Sequence, residues 1–336
     1  EWQVLHEAAT EAADDRTLEK HVQEEPLSLM QLQDFLRNPV KHFFSQRLKI
    51  FFEVAEAPLA DEEPFVLDAL ERYGLSDSLL QAALIEPDSV DESLRAQATR
   101  LQSSGLLPMA GFGTLLQDEL IEPLPDLVRR YHELLFKWPE RLHSALPVAY
   151  EHQGVELDGW LDGLYRNAQG ELLAVSAIPN SIGGKKSRKW HRLIRPWVNH
   201  LVACACDLPL TTALVASDET LLLSPLDRDT ARRTLDNLLL AWQQGMQRPL
   251  PVAVQTAFAW LGQSDEAKAQ AAARKTYEGD GQTTQGERAQ STALARQFPD
   301  FDALLDSEEF VGWCESLYKP VYEAPWQSLS SEEAAA

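Results

Sequence analysis

A change of hydrophobic period after Pro139 constrains this chain more than any other feature. Before it, apolar residues recur three and four apart, the spacing of amphipathic helices. After it, the stretch LPVAYEHQGVELDGWLDGLYRNAQGELLAVSAI holds three runs with strand character, Val148–Glu151, Val155–Tyr165 and Glu171–Ile178. Gln153-Gly154 and Asn167–Gly170 supply the turns, so a three-stranded meander is expected. A helix is expected from about Ile194 to Ala205, with Trp197, Val198, Leu201 and Val202 on its apolar face. TTALVAS and ETLLLSP then read as two more strands, and RDTARRTLDNLLLAWQQGM as a helix stopped by Pro249-Leu250-Pro251. Helices, three strands, a helix, two strands and more helices predict an α/β fold, a twisted mixed sheet flanked by helices.

The N-terminal side is equally patterned. Residues 1–25 are polar and predict a flexible lead-in. Ser28 is suited to cap a helix that carries Leu29, Leu32, Phe35 and Leu36 on one face. Asn38-Pro39 breaks that helix and starts a second one bearing Phe43, Phe44 and Arg47. These three resemble a stacking platform, but helical spacing favours the core. Residues 54–64 read as an acidic surface loop, and helices follow from Phe65 to about Leu106. Late in the chain, SDEAKAQAAARKTYEG predicts a helix and DGQTTQGE a flexible loop. Trp313, Tyr318, Tyr322 and Trp326 are either anchors for a partner or packing groups. One domain is expected over residues 26–326: helices in 26–144, the sheet core in 145–226 and helices in 227–326, with a disordered tail at 327–336. A chain that opens on Glu1 reads as an excised fragment or processed product.

Charge and cysteines narrow the function classes. The formal net charge is -22, from 52 acidic and 30 basic residues, so the surface as a whole repels phosphate backbone. Cys204, Cys206 and Cys314 give no disulfide framework and point to a reducing compartment. Cys204 and Cys206 read as small buried residues on different helix faces. No apolar run reaches the roughly 20 residues that span a membrane, so no membrane partner and a cytoplasmic location are expected. No nucleophile elbow and no Walker A sequence appear. His132, His143 and His200 have no ligand spacing.

The ordered segments LSLMQLQDFLRNPVKHFFSQRL, EPFVLDALERYGL, GLLPMAGFGTLL, GWLDGLYR, PWVNHLVACA and LLLAWQQGMQRPLPV before TAFAWL resemble the C-terminal domain of the RecC family, the gamma subunits of exodeoxyribonuclease V (RecBCD). The likeness runs from about Leu27 to Trp326. It implies a restriction-endonuclease-like (PD-(D/E)xK) core with large helical additions and a decayed active site. Active relatives hold Mg²⁺ through a histidine on an early helix, an aspartate on the second strand, and an aspartate on the third strand beside a lysine. At the matching positions this chain has Gln117, Asp162, Ala174 and Ser176. The resemblance thus implies no catalytic residues, no metal and no cofactor. It implies the RecB and RecD motor subunits, the rest of a RecC chain, double-stranded DNA ends and separated strands as partners. The expected role is subunit docking and guidance of DNA near the fork.

The loop Lys185, Lys186, Arg188, Lys189, Trp190, His191 and Arg192 is the sharpest basic cluster of the chain. Lysine and arginine neutralise phosphate, and Trp190 can stack on an unpaired base. These residues, His191 aside, are the DNA-binding candidates. Two other readings compete: an active Mg²⁺-dependent DNA nuclease with Asp158, Glu171, Lys185 or Lys186 as substitute groups, and a protein-interaction module without DNA contact.

Overall fold

The computed structural model describes residues 17–52, 69–85, 89–107, 110–184, 187–281, 285–306 and 308–329. In chain order these form β1 (Leu27–Ser28), α1 (Leu29–Arg37), α2 (Pro39–His42) continued by a π turn (Phe43–Arg47), α3 (Ala69–Ile85), α4 (Val90–Ser103), α5 (Ala110–Ile121) and α6 (Leu124–Lys137). The strands β2 (Glu140–Arg141), β3 (Leu146–His152), β4 (Val155–Leu161), β5 (Leu164–Arg166) and β6 (Leu172–Ile178) come next. After α7 (Ile194–Ala205) follow β7 (Leu210–Ala216), β8 (Thr220–Leu223), α8 (Arg228–Gly245), α9 (Val254–Leu261) and α10 (Glu266–Glu278). The chain closes with α11 (Thr292–Gln297), α12 (Phe301–Leu305), α13 (Phe310–Trp313), α14 (Lys319–Tyr322) and β9 (Gln327–Leu329).

The stretch expected as a single domain, residues 26–326, falls into two compact units. Among the described residues, one unit comprises 17–52, 149–158 and 234–322, the other 69–148, 159–233 and 323–329.

In the first unit α1 starts on a reciprocal cap. Gln31 N donates to Ser28 Oγ at 3.2 Å, and Ser28 N donates to Gln31 Oε1 at 2.9 Å. Asn38 ends α1 and caps α2, accepting from Lys41 N at 2.8 Å. Phe35, Leu36, Phe301, Phe310 and Tyr318 are fully buried, and Tyr318 Oη donates to Leu36 O at 2.8 Å. Phe43 is buried as expected of a core residue. The lead-in is not loose over residues 17–25. Leu18 N donates to Gln247 O at 2.9 Å, and the Gln23 amide makes two bonds with the Glu156 backbone, mimicking a strand neighbour.

The second unit holds a six-stranded mixed sheet in the order β2-β5-β6-β7-β8-β9. All pairs are antiparallel except β6 and β7, which run parallel and are joined through α7. Such a crossover buries both faces of the central strand, and LTTALVA in β7 is buried along nearly its whole length. Val215 faces the core built by α3 to α6, which holds Leu79, Leu94, Leu124 and Leu127, and Ala213 packs with Leu134, Trp138 and Leu173. Gln327–Leu329, expected to begin a disordered tail, instead pairs with β8 because Ser328 finds Leu221 opposite it.

The meander also differs. The expected strand Val155–Tyr165 breaks at Asp162-Gly163, where Gly163 turns to φ +67. The first half, β4, lies between β1 and β3, and the second half, β5, lies between β2 and β6. A left-handed glycine reverses the pleat and lets one run serve two sheets.

Candidate functional site

β5 and β6 set the positions matched to a nuclease site. Leu164 stands opposite Ala174, and Ala174 stands beside Thr212 of β7. Asp162 precedes Leu164 by two residues and lies across the Gly163 turn, outside the ladder that pairs residues 164–166 with 172–174. The period of two puts Ala174 and Ser176 on one face, while Val175 and Ala177 pack into the helical core on the other. Asp162 is exposed, and its Oδ1 accepts from Gly163 N at 2.6 Å. Ala174 and Ser176 thus present a methyl and a hydroxyl on this face.

Gln117 sits half-buried on α5, and its Nε2 is buried without a hydrogen-bond partner among the described residues. No hydrogen bond or ion pair among the described residues joins Gln117, Asp162 and Ser176. Glu171 is committed to its own turn, accepting from Asn167 Nδ2 at 2.6 Å. Among the described residues no three His, Cys, Asp or Glu side chains gather as a metal site. A hard divalent cation takes six or more oxygen ligands, several of them from the protein or a bound phosphate.

The basic loop is more tightly built than its composition suggests. Asp218, in the β7–β8 turn, accepts from Ile182 N at 2.9 Å and from Gly183 N at 2.8 Å. Lys189 N donates to Ile182 O at 2.7 Å. Gly183 adopts φ +75, and a Cβ there would lie 2.5 Å from Ser187 O. The Arg188 side chain is 6% exposed and paired with Glu219, with its guanidinium carbon 5.3 Å from the Trp190 ring centre. Arg192 is half-buried and donates to Ser181 O. Arg188 and Arg192 therefore hold the loop together. Lys189 is exposed, with Nζ 3.5 Å from Ser181 Oγ. Lys185 and Lys186 lie outside the described residues.

Behind this turn stands Arg130 of α6, buried at 6% exposure. It donates to Ala216 O at 2.7 Å, Ser217 O at 3.1 Å and Thr220 Oγ1 at 2.8 Å, and its Nε meets Asp126 at 2.8 Å. Arg130, Asp218 and Glu219 were not among the sequence candidates. Their only sequence signal is polar residues at a hairpin turn and on a helix, which is ordinary there.

α7 carries one more constellation. His200 Nδ1 lies 3.0 Å from Thr212 Oγ1, and Cys204 Sγ lies 3.8 Å from His200 Nε2. Burial lowers the His200 pKa to about 4 and pushes the Cys204 thiol up. Both shifts oppose the thiolate–imidazolium pair of a nucleophilic site, and the group serves as core. Cys206 is half-buried. No helix among the described residues is long and apolar enough to cross a membrane.

Comparison with known proteins adds a family. The sequence pattern of the RecC C-terminal domain matches residues 24–265. The RecBCD enzyme subunit RecC of Escherichia coli (strain K12) is 28% identical over 243 residues, covering 70% of this chain and 19% of that protein. The RecBCD enzyme subunit RecC of Haemophilus influenzae is 27% identical over 210 residues, covering 62% of this chain and 17% of that protein. The corresponding subunit of Buchnera aphidicola is 20% identical over 225 residues, or 67% and 19%. The match thus spans about a fifth of the length of these relatives.

Proposed function

The chain belongs to the RecC C-terminal domain family, and we propose that it is a non-catalytic part of a RecBCD-type helicase–nuclease in double-strand break repair by homologous recombination. In this reading the six-stranded sheet is a PD-(D/E)xK core that has lost its chemistry. The observation that supports it is that Ala174 lies opposite Leu164, two residues after Asp162, and that Ala174 and Ser176 offer a methyl and a hydroxyl on that strand. One exposed carboxylate beside a methyl and a hydroxyl neither binds Mg²⁺ tightly nor positions a water. The retained frame docks the RecB and RecD subunits and the rest of the parent chain in the cytoplasm. It also guides DNA near the fork, with Lys189 and its neighbours Lys185 and Lys186 as phosphate contacts.

Two measurements test this. Capture of RecB or RecD by the chain in the absence of DNA supports docking, and failure to capture either sinks it. Magnesium titration by calorimetry is expected to give no stoichiometric heat. Tight heat, with cleavage of DNA, would revive the nuclease reading. A protein-interaction role without DNA contact draws support from the engagement of Arg188 by Glu219 and from the net charge of -22. Substituting Lys185, Lys186 and Lys189 by glutamine in the assembled complex separates the two. A lower affinity for forked DNA and a smaller salt slope favour guidance, and no change favours the interaction module.

A further inference from the structure

The stretch FLRNPVKHFFSQRLKIFF, residues 35–52, carries Arg37, Lys41, Arg47 and Lys49 and no Asp or Glu, in a chain of net charge -22. Arg37, Lys41 and Lys49 are exposed and make no ion pair among the described residues. Arg47 is different: it is half-buried and donates to Glu19 O at 3.2 Å, which ties down the lead-in.

Aromatic groups accompany these charges. Phe43 lies against Phe44 with ring centres 5.6 Å apart, and Phe44 against Phe52 at 5.2 Å, both edge to face. Arg296 of α11 closes the ladder, its guanidinium carbon 4.8 Å from the Phe52 ring centre. α11 packs on α2, and Asn38 Nδ2 donates to Ser291 Oγ at 3.0 Å, which fixes Arg296 beside this stretch. Phe51 is left outside the ladder, 73% exposed, with Ile50 at 44%.

Lys49 gives the arrangement its direction. Its φ of 56 is left-handed, a conformation that glycine or asparagine adopts with less strain. Leu48 N closes the π turn by donating to Phe43 O at 3.2 Å, and Ile50 N donates back to Phe44 O at 2.8 Å, with Ile50 and Phe51 left exposed.

We propose that Lys49, Phe51, Arg296 and the adjoining Lys41 form a contact for single-stranded nucleic acid, with the cations on phosphates and the Phe51 ring stacked on a base. Charge complementarity selects a polyanion for the acid-free run of residues 35–52, and a free ring favours an unpaired base over a duplex. The proposal rests on the reading that this domain guides DNA, and it adds a place in the first unit, apart from the loop at residues 187–192.

The test uses the full-length parent chain assembled with its partner subunits. Binding of a labelled oligothymidylate and of a duplex of equal length is measured for Phe51→Ala, Phe51→Trp and the pair Lys41→Gln with Lys49→Gln. Phe51→Ala is expected to weaken oligothymidylate binding roughly fivefold or more, to leave duplex binding unchanged, and to be rescued by Phe51→Trp. The lysine pair is expected to reduce the salt slope by about 1.4, at about 0.7 for each phosphate no longer neutralised. Ultraviolet cross-linking should place the thymidine adduct on the peptide holding Phe51. Unchanged affinity and slope overturn the proposal, as does loss of subunit assembly with DNA affinity intact, which would mark a protein interface. If the Lys189 loop variants weaken binding while these do not, guidance stands and this site falls. If neither set matters, both fall.

Discussion

Arg188 Nη2 sits 2.9 Å from one oxygen of Glu219 and 2.7 Å from the other, joining the loop after β6 to the start of β8. The Arg188 side chain is 6% exposed and that of Glu219 17%. Removing one member of such a pair leaves the other charged and dry. Glu219→Ala is therefore expected to lower stability by about 3 kcal/mol, read as a drop in the urea midpoint. Lys189→Ala, on the same loop, is expected to stay within about 0.5 kcal/mol. Equal effects would mean that the loop is not built on this pair.

Gly183 tests the same loop from the backbone. Its φ of +75 and the 2.5 Å approach to Ser187 O leave no room for a side chain. Gly183→Ala is expected to cost about 1–3 kcal/mol. It should also speed hydrogen exchange at the Ile182 and Gly183 amides that Asp218 holds. Unaltered exchange at both amides would refute this account of the loop.

Two buried histidines set an acid limb. Trp242 Nε1 donates to His42 Nε2 at 3.2 Å, which requires that nitrogen to be unprotonated. Burial lowers the pKa values of His42 and His200 from 6.5 to about 4. The unfolded chain then binds more protons than the folded one between those values, so stability is full above pH 6.5 and falls as pH drops towards 4. Each histidine accounts for up to about 3 kcal/mol of that fall. His42→Gln keeps an acceptor for Trp242 and should flatten part of the limb in urea denaturation at stepped pH. A limb of unchanged steepness would show that His42 does not drive it.

Glu287 is a carboxylate buried beneath α9. It accepts from Gln255 N at 2.9 Å, and from Thr256 N and Thr256 Oγ1, both at 2.8 Å. Burial pushes its pKa up, while these bonds pull it down. Glu287→Ala strands two amides at a helix start in a dry site and is expected to destabilise by about 3 kcal/mol. Glu287→Gln should lose less, because its one carbonyl oxygen still caps one amide. A reversed order in thermal denaturation would remove the capping role.

Legibility in the sequence followed sequence distance. Ser28 with Gln31, and Asn38-Pro39, are signals within one turn, and both helices start and stop where those residues direct. The helix expected from about Ile194 to Ala205 has those bounds. The broken strand was hidden by symmetry. LDGWLDGLY holds Asp158-Gly159 and Asp162-Gly163, the same dipeptide twice, yet only Gly163 turns left-handed. Pairing with β2 and β6 decides which one, and that information lies elsewhere in the chain. The Trp242–His42 bond spans 200 residues and the Glu287 cap about 31, beyond any local pattern. The four nuclease-matched positions were read from family likeness. Composition alone marked the basic loop, and it could not tell a cation facing solvent from one, such as Arg188, bound to a neighbour.

The placement of the cysteines makes the chain its own stopwatch. Cys314 is buried in the first unit and Cys204 in the second, and burial raises the pKa of both thiols. Neither reacts until its surroundings open. A thiol reagent added under native conditions followed by peptide mapping would therefore time the opening of each unit by itself. Cys206, already half-buried, would serve as the fast reference.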